Sequence, residues 1–285
     1  MYFNHEEIEG QVSKHELTFE SKHELLRLKR LGPGICASMR IRKSPIDQQF
    51  PWVTGIVVPA HNEEVLIGRC LRSLLDLRLV GELWIVVVAD TCTDGTVSKA
   101  RSMLGNRGEV IETVQRNAGV SRSIGADRVM EHFANRLPRH PVWLANTDAD
   151  SCVPVHWIQQ QITLATQGAH AIAGVVDIDT FTDFDAGMKD RFDRSYGKGK
   201  HGAHPHVQAA NFGLSAAAYK MVGGWPPMAL GEDRELWNRL GEHGFERVSD
   251  RSVRVTTSGR SEGRIPGGFA DCLKLLAANS LSAVS

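Results

Sequence analysis

The chain has 285 residues, 42% of them apolar and 23% charged, with a mean hydropathy of -0.22, the makeup of a soluble globular protein long enough to bury a core without disulfides or a structural metal. Its 33 basic and 33 acidic residues cancel, which excludes a general polyanion binder whose affinity rests on neutralising many phosphates, so no nucleic-acid partner is expected. Cys36, Cys70, Cys92, Cys152 and Cys272 are scattered and never spaced C-x-x-C, which argues against a disulfide framework or a zinc ribbon; with no run near the roughly 20 apolar residues of a membrane span and no signal-like N-terminus, a reducing, cytoplasmic setting is expected.

Residues 1–50 read as an N-terminal extension, with a helix around residues 22–30 broken by Gly32-Pro33-Gly34 and a turn at Ser44-Pro45. From Trp52 the pattern changes, and residues 51–285 read as one domain. Apolar runs rich in Val and Ile at 53–58, 83–89, 110–114, 142–145 and 171–176 predict buried strands. Between them, 63–77, 94–104, 119–134 and 155–166 carry apolar residues at helical spacing. Such alternation predicts right-handed crossovers and an α/β fold, a Rossmann-like, mainly parallel central sheet flanked by helices. Ligands of such sheets bind beyond the carboxyl ends of the strands. Those ends read Pro59-Ala60-His61-Asn62-Glu63-Glu64, Asp90-Thr91-Cys92-Thr93-Asp94-Gly95-Thr96, Arg116-Asn117-Ala118-Gly119 and Asn146-Thr147-Asp148-Ala149-Asp150.

In an extended segment, Asp148 and Asp150 project to one side, and two hard oxygen ligands there suit Mg2+ or Mn2+ completed by water and substrate phosphate. Two further Asp-x-Asp pairs, Asp177 with Asp179 and Asp183 with Asp185, leave the choice open on spacing alone. Capping of the next helix suffices for Asp94, whereas Asp90 is placed to accept hydrogen bonds from a base or sugar. Asn62 either caps the first helix or, with Glu64, borders the cleft. The segment 231–240 reads as a helix start whose first turn carries Glu232 and Asp233, where the helix dipole favours negative charge. His201, His204 and His206 match no zinc spacing and are read as part of a loop closing over the cleft.

Val57-Val58-Pro59-Ala60-His61-Asn62-Glu63-Glu64, then Asp90 to Thr96, then Asn146-Thr147-Asp148-Ala149-Asp150-Ser151, and later Gly231-Glu232-Asp233, resemble in content and order the inverting family 2 glycosyltransferases of the GT-A fold. The similarity runs from about Val53 to Leu276. It implies a metal-dependent transfer of sugar from a nucleoside-diphosphate sugar, a UDP-sugar by default, to a small-molecule or glycan acceptor, with Mn2+ or Mg2+ held by Asp148 and Asp150. It further implies that Pro59, Ala60, Asn62 and Glu64 border the nucleoside, that Asp90 bonds the base, and that Arg122 lies near the donor phosphates or sugar in a loop shaped by Asn117 and Gly119. Ala149 lies within the Asp-x-Asp motif, Asn211 lines the sugar and acceptor region, and Asp233, beside Glu232, is the catalytic base. Many GT-A enzymes take a further metal ligand, often His, from near the C-terminus, but here no histidine follows His243 and the stretch holds Arg260 and Arg264, which either contact phosphate instead or are solvated. The Gln-x-x-Arg-Trp motif of processive members is absent, which disfavours a polymer synthase. The missing Gly-rich loop after the first strand disfavours a sugar-nucleotide pyrophosphorylase, and a non-catalytic nucleotide-sugar binder is the remaining alternative.

Overall fold

The computed structural model describes residues 52–78, 81–135, 140–197 and 202–278. The expected extension, with its helix at 22–30, lies outside them. Among the described residues seven strands form one sheet in the order β3-β2-β1-β4-β6-β5-β7. They are β1 (Val53–Ala60), β2 (Leu83–Asp90), β3 (Gly108–Thr113), β4 (Val142–Asn146), β5 (Ala171–Ile178), β6 (Phe212–Ser215) and β7 (Arg247–Thr257). Only β6 runs antiparallel to its neighbours. The helices are α1 (Ile67–Leu75), α2 (Thr96–Leu104), α3 (Ala118–His132), α4 (Trp157–Thr166), α5 (Met188–Tyr196), α6 (Ala216–Met221), α7 (Glu232–Glu242) and α8 (Phe269–Ala278).

The continuous apolar runs of β1 and β2 follow from burial on both faces. Along β1, Ile56 and Val58 join one core with Ile67, Leu71 and Leu74 of α1, while Val53 and Val57 join a second with Ala126 and Val129 of α3. Helix α3 lies close on β1 because two glycines leave room: a Cβ on Gly55 would sit 2.0 Å from Val129 Cγ1, and one on Gly125 2.3 Å from Val57 Cγ1. A smaller core, Met188, Phe192 and Leu273, joins α5 to α8.

The chain steps outward from β1 to β2 and β3, then returns to place β4 on the other flank of β1. That reversal opens a crevice beyond the carboxyl ends of β1, β2 and β4, where such sheets bind ligands. The five strands and four helices expected from sequence are present, with α1 shorter than the expected 63–77. Residues 63–66 instead form a turn, because Glu63 N–H donates to Thr96 Oγ1 at 2.8 Å and Glu64 N–H to Asp94 Oδ2 at 3.1 Å.

Candidate active site

At the end of β2, Asp90 is 6% exposed and accepts four hydrogen bonds. The N–H groups of Arg116 and Asn117 donate at 2.9 and 3.0 Å, Ser121 Oγ at 2.9 Å and Thr91 Oγ1 at 3.0 Å. Burial works against its charge, but these donors outweigh it and hold the carboxyl below the ordinary aspartate value. A carboxylate offers about four lone-pair sites, so in this arrangement Asp90 is spent on shaping the loop into α3 rather than left open to a base. Asn117 caps α3 through Val120 N–H at 3.0 Å. Gly119 donates to Met228 O at 3.0 Å, and a Cβ there would meet Pro226 O at 2.0 Å, so the loop before α7 closes directly on this turn.

Asp148 and Asp150 meet through a turn rather than by strand alternation: Ser151 N–H closes on Asp148 O at 3.0 Å. Each faces its own arginine. Arg122 Nη2 donates to Asp148 Oδ1 at 2.7 Å and Arg122 Nε to Glu232 Oε1 at 3.4 Å, with the guanidinium 5.7 Å from the Trp225 ring centroid. Burial opposes the charge of Arg122, but Asp148 and Glu232 more than restore it. Its Nη1 is buried and has no hydrogen-bond partner among the described residues. Across the motif, Arg260 Nη2 lies 3.0 Å from Asp150 Oδ2, and Thr257 Oγ1 donates to Asp150 Oδ1 at 3.1 Å.

Despite Arg260, burial and then the charge of Asp148 push Asp150 up to about 6. The folded protein therefore holds a proton that the unfolded chain, near an ordinary value of about 3.9, releases. Stability contributed by this group is present at low pH and is lost as pH rises from about 4 through 6. Urea melts of EDTA-treated protein between pH 4 and 7 are expected to show that decline, and Asp150→Asn to flatten it; identical slopes in the two proteins would count against the assignment. Excess negative charge at this point, with Asp148 Oδ2 making no hydrogen bond among the described residues, fits a hard divalent cation whose remaining ligands are water and phosphate. Among the described residues no group of three or more His, Cys, Asp or Glu converges on a metal position.

On the opposite wall, Gly231 takes φ +79 to start α7, a conformation suited to glycine. Asp233 Oδ2 accepts the Ala209 N–H at 2.9 Å and its Oδ1 the Arg234 N–H at 2.6 Å. Glu232 is 6% exposed and lies behind Arg122; burial raises its carboxyl, Arg122 counters, and Asp233 adds to the rise.

Several expected contacts lie elsewhere. Asn211 is fully buried, with its amide donating to Val175 O and Val253 O at 2.8 and 2.9 Å and accepting Trp157 Nε1 at 2.8 Å. It ties β5, β7 and α4 together instead of lining the cleft. Asn211→Ala is expected to cost about 3 kcal/mol through the donor and acceptors it strands, seen as a lower urea midpoint with nucleotide affinity unchanged; weaker nucleotide binding at wild-type stability would restore a role in contact. Ala60 and Ala149 are core residues. Asn62, at φ +52, accepts Thr93 N–H at 2.8 Å rather than capping α1, and Glu64 accepts Gly95 N–H at 3.0 Å; Pro59 is half-buried within β1. Asp94 accepts Thr96 N–H at 3.0 Å in the turn that leads into α2, whose N-cap position is Gly95. His201 lies outside the described residues. His204 is buried against Ala173 O at 3.1 Å and His206 stacks on Tyr196 at 3.9 Å, so this part of the segment is packed against β5 and α5 and is no free lid.

The acid that sequence reading passed over is Glu63. It is 5% exposed and takes both Arg260 Nη1 at 2.9 Å and Nη2 at 2.7 Å, with Arg264 Nε at 3.4 Å. Arg260 is therefore no solvated side chain, and only the burial phase of the 61–66 turn separates Glu63 from the exposed Glu64.

Residues 55–222, more than half of the chain, match the family model described as Glycosyl transferase family 2. The mannosyltransferase PcManGT from Pyrobaculum calidifontis, solved with GDP-Man and Mn2+, is similar at a TM-score of 0.56 and 16% identity, over 92% of this chain and 81% of that one. TarS 1-349 of S. aureus in complex with UDP-GlcNAc is similar at a TM-score of 0.57 and 15% identity, over 82% and 68%. No curated protein matches. At these identities the likeness is one of fold, and the sheet and its flanking helices are the GT-A architecture.

Proposed function

Because the chain belongs to glycosyl transferase family 2, we propose that this glycosyltransferase moves the sugar of a nucleoside-diphosphate donor onto a hydroxyl acceptor in one inverting displacement, with Asp233 as base and Asp148 and Asp150 holding Mn2+ or Mg2+. The observation that carries this reading is the row Asp150, Asp148, Arg122, Glu232 across the crevice, linked at 2.7 and 3.4 Å through Arg122, with Asp233 at its end. Binding of GDP-Man with Mn2+ by one fold relative and of UDP-GlcNAc by another supports this donor class.

Asp148 and Asp150 would hold the cation, which when bound stabilises negative charge on the departing diphosphate. Arg122 sets a buried positive charge beside Asp148, where a preorganised group acts strongly on developing negative charge. Asp233, oriented by the Ala209 and Arg234 N–H groups, accepts the proton of the attacking hydroxyl. Glu232 keeps Arg122 aligned from behind. Attack on the anomeric carbon from the face opposite the leaving diphosphate inverts that centre.

A panel of UDP- and GDP-sugars with Mn2+, read by calorimetry and by release of nucleoside diphosphate, tests the reading. Binding of at least one donor accompanied by slow hydrolysis or transfer is expected. Binding with no turnover on any acceptor or on water would favour the non-catalytic alternative.

A further inference from the structure

The guanidinium of Arg260 lies between the carboxylates of Glu63 and Asp150. Its two terminal nitrogens form a fork on the Glu63 carboxylate at 2.9 and 2.7 Å, and one of them also reaches Asp150 Oδ2 at 3.0 Å. Bidentate pairing is the stronger and better-oriented contact, so Glu63 is the anchor and the single contact to Asp150 is the one that can be released. Glu63 also keeps Arg264 Nε at 3.4 Å, while Arg264 Nη2 holds Asn62 O at 2.7 Å.

The backbone around Arg260 is pinned by the two Asp-x-Asp pairs that the site does not use. Asp179 Oδ1 accepts Gly259 N–H at 2.9 Å and Asp183 Oδ2 accepts Ser261 N–H at 2.8 Å. A Cβ on Gly259 would stand 1.8 Å from Thr180 O, so the segment passes too close to the 179–183 turn to carry a side chain there. Asp179 also pairs with Arg69, and Asp177 with Arg254. Backbone fixed on both sides leaves the Arg260 side chain as the part that can swing.

We infer that Arg260 is a built-in counter-cation for the Asp-x-Asp motif, holding Asp150 while no divalent ion is present and turning to the donor diphosphate when the ion takes its place. This rests on the metal-dependent reading above. Cation and guanidinium compete for Asp150, so Mn2+ alone binds weakly; a diphosphate that receives Arg260 relieves the competition, and the two ligands strengthen each other. Linkage makes this coupling reciprocal.

Mn2+ binding measured by calorimetry and by electron paramagnetic resonance of the free ion, with and without UDP, tests this. Arg260→Gln is expected to bind Mn2+ alone about tenfold more tightly than wild type and to gain less from UDP, within the usual 5- to 150-fold range of such couplings. Glu63→Gln, which loosens the anchor and leaves Arg260 to Asp150, is expected to bind Mn2+ alone more weakly, and Arg260→Lys to lie between wild type and Arg260→Gln. Opposite signs for the Gln variants at 260 and 63 support the inference and do not follow from general loosening of the fold. Wild-type Mn2+ affinity in Arg260→Gln, or weaker binding in both Gln variants, overturns it while leaving metal dependence intact. UDP binding with no Mn2+ uptake by wild type overturns metal dependence and this inference together.

Discussion

Asp233→Asn is expected to lower kcat by about 10²- to 10⁴-fold, the usual contribution of a positioned general base, with donor affinity nearly unchanged. The carboxylate is held by two backbone N–H groups, at 2.9 Å from Ala209 and 2.6 Å from Arg234. These fix its direction and leave its remaining lone pairs for the acceptor hydroxyl. An asparagine keeps the shape but cannot take the proton, and its amide NH2 faces one of the same N–H donors. Asp233 is hydrogen-bonded to Ala209 and Arg234 rather than to Asp148, Asp150 or Arg122, so the groups assigned to the donor keep their contacts. Nucleotide titration in a calorimeter alongside steady-state transfer separates the two effects. Turnover within threefold of wild type would remove Asp233 from the role, and equal losses in binding and turnover would make it a scaffold residue. Glu232, 6% exposed and set behind Arg122, is a poor competitor for the base, since a hydroxyl reaching it would have to displace the guanidinium.

Much of this site is legible in the sequence because strand ends are. Buried apolar runs fix where β1, β2 and β4 stop, and the acids that follow, Asp90 and Asp148, have few places to go but the crevice. Contacts between distant segments are another matter. Glu63 and Arg260 are 197 positions apart, and no local period joins them. The adjacent acids Glu63 and Glu64 are indistinguishable in composition, and only Thr96 and Asp94, fixing the turn from another loop, decide which is buried. Asn211 shows the converse limit. The family resemblance implies that Asn211 lines the cleft, yet just before β6, only four residues long, it sits between β5 and β7, where two carbonyls and the Trp157 indole satisfy it. Strand β6 is too short to declare itself, and β7, with Asp250, Arg251 and Ser252 in its middle, lacks the apolar run that marked the others.

Arg122→Met tests the electrostatic centre of the site and is expected to have the largest effect on stability. The guanidinium is 5% exposed and lies between Asp148 and Glu232, whose side chains are 36% and 8% exposed. Methionine of similar reach fills the space over Trp225 but leaves Glu232 buried without a counter-charge. Removing one partner of a buried pair costs about 3 to 5 kcal/mol, more than the pair itself contributes, because the stranded charge remains. At roughly 2 to 4 °C per kcal/mol for a domain of this size, melting should fall by about 10 °C. Two features separate this cause from lost packing. Glu232→Gln added to Arg122→Met should recover most of the loss, since it removes the stranded charge without refilling any volume. The deficit should also shrink as pH falls, because burial already raises the Glu232 carboxyl and loss of Arg122 raises it further, so the folded variant takes up a proton before the unfolded chain does. A deficit that is constant with pH and untouched by Glu232→Gln would mean that Arg122 acts through its stem and the Trp225 contact. The donor then supplies a separate readout. Arg122→Met with Glu232→Gln restores the fold but not the guanidinium, so a stable double variant that still fails to bind nucleoside diphosphate would assign the Arg122 charge to the phosphates.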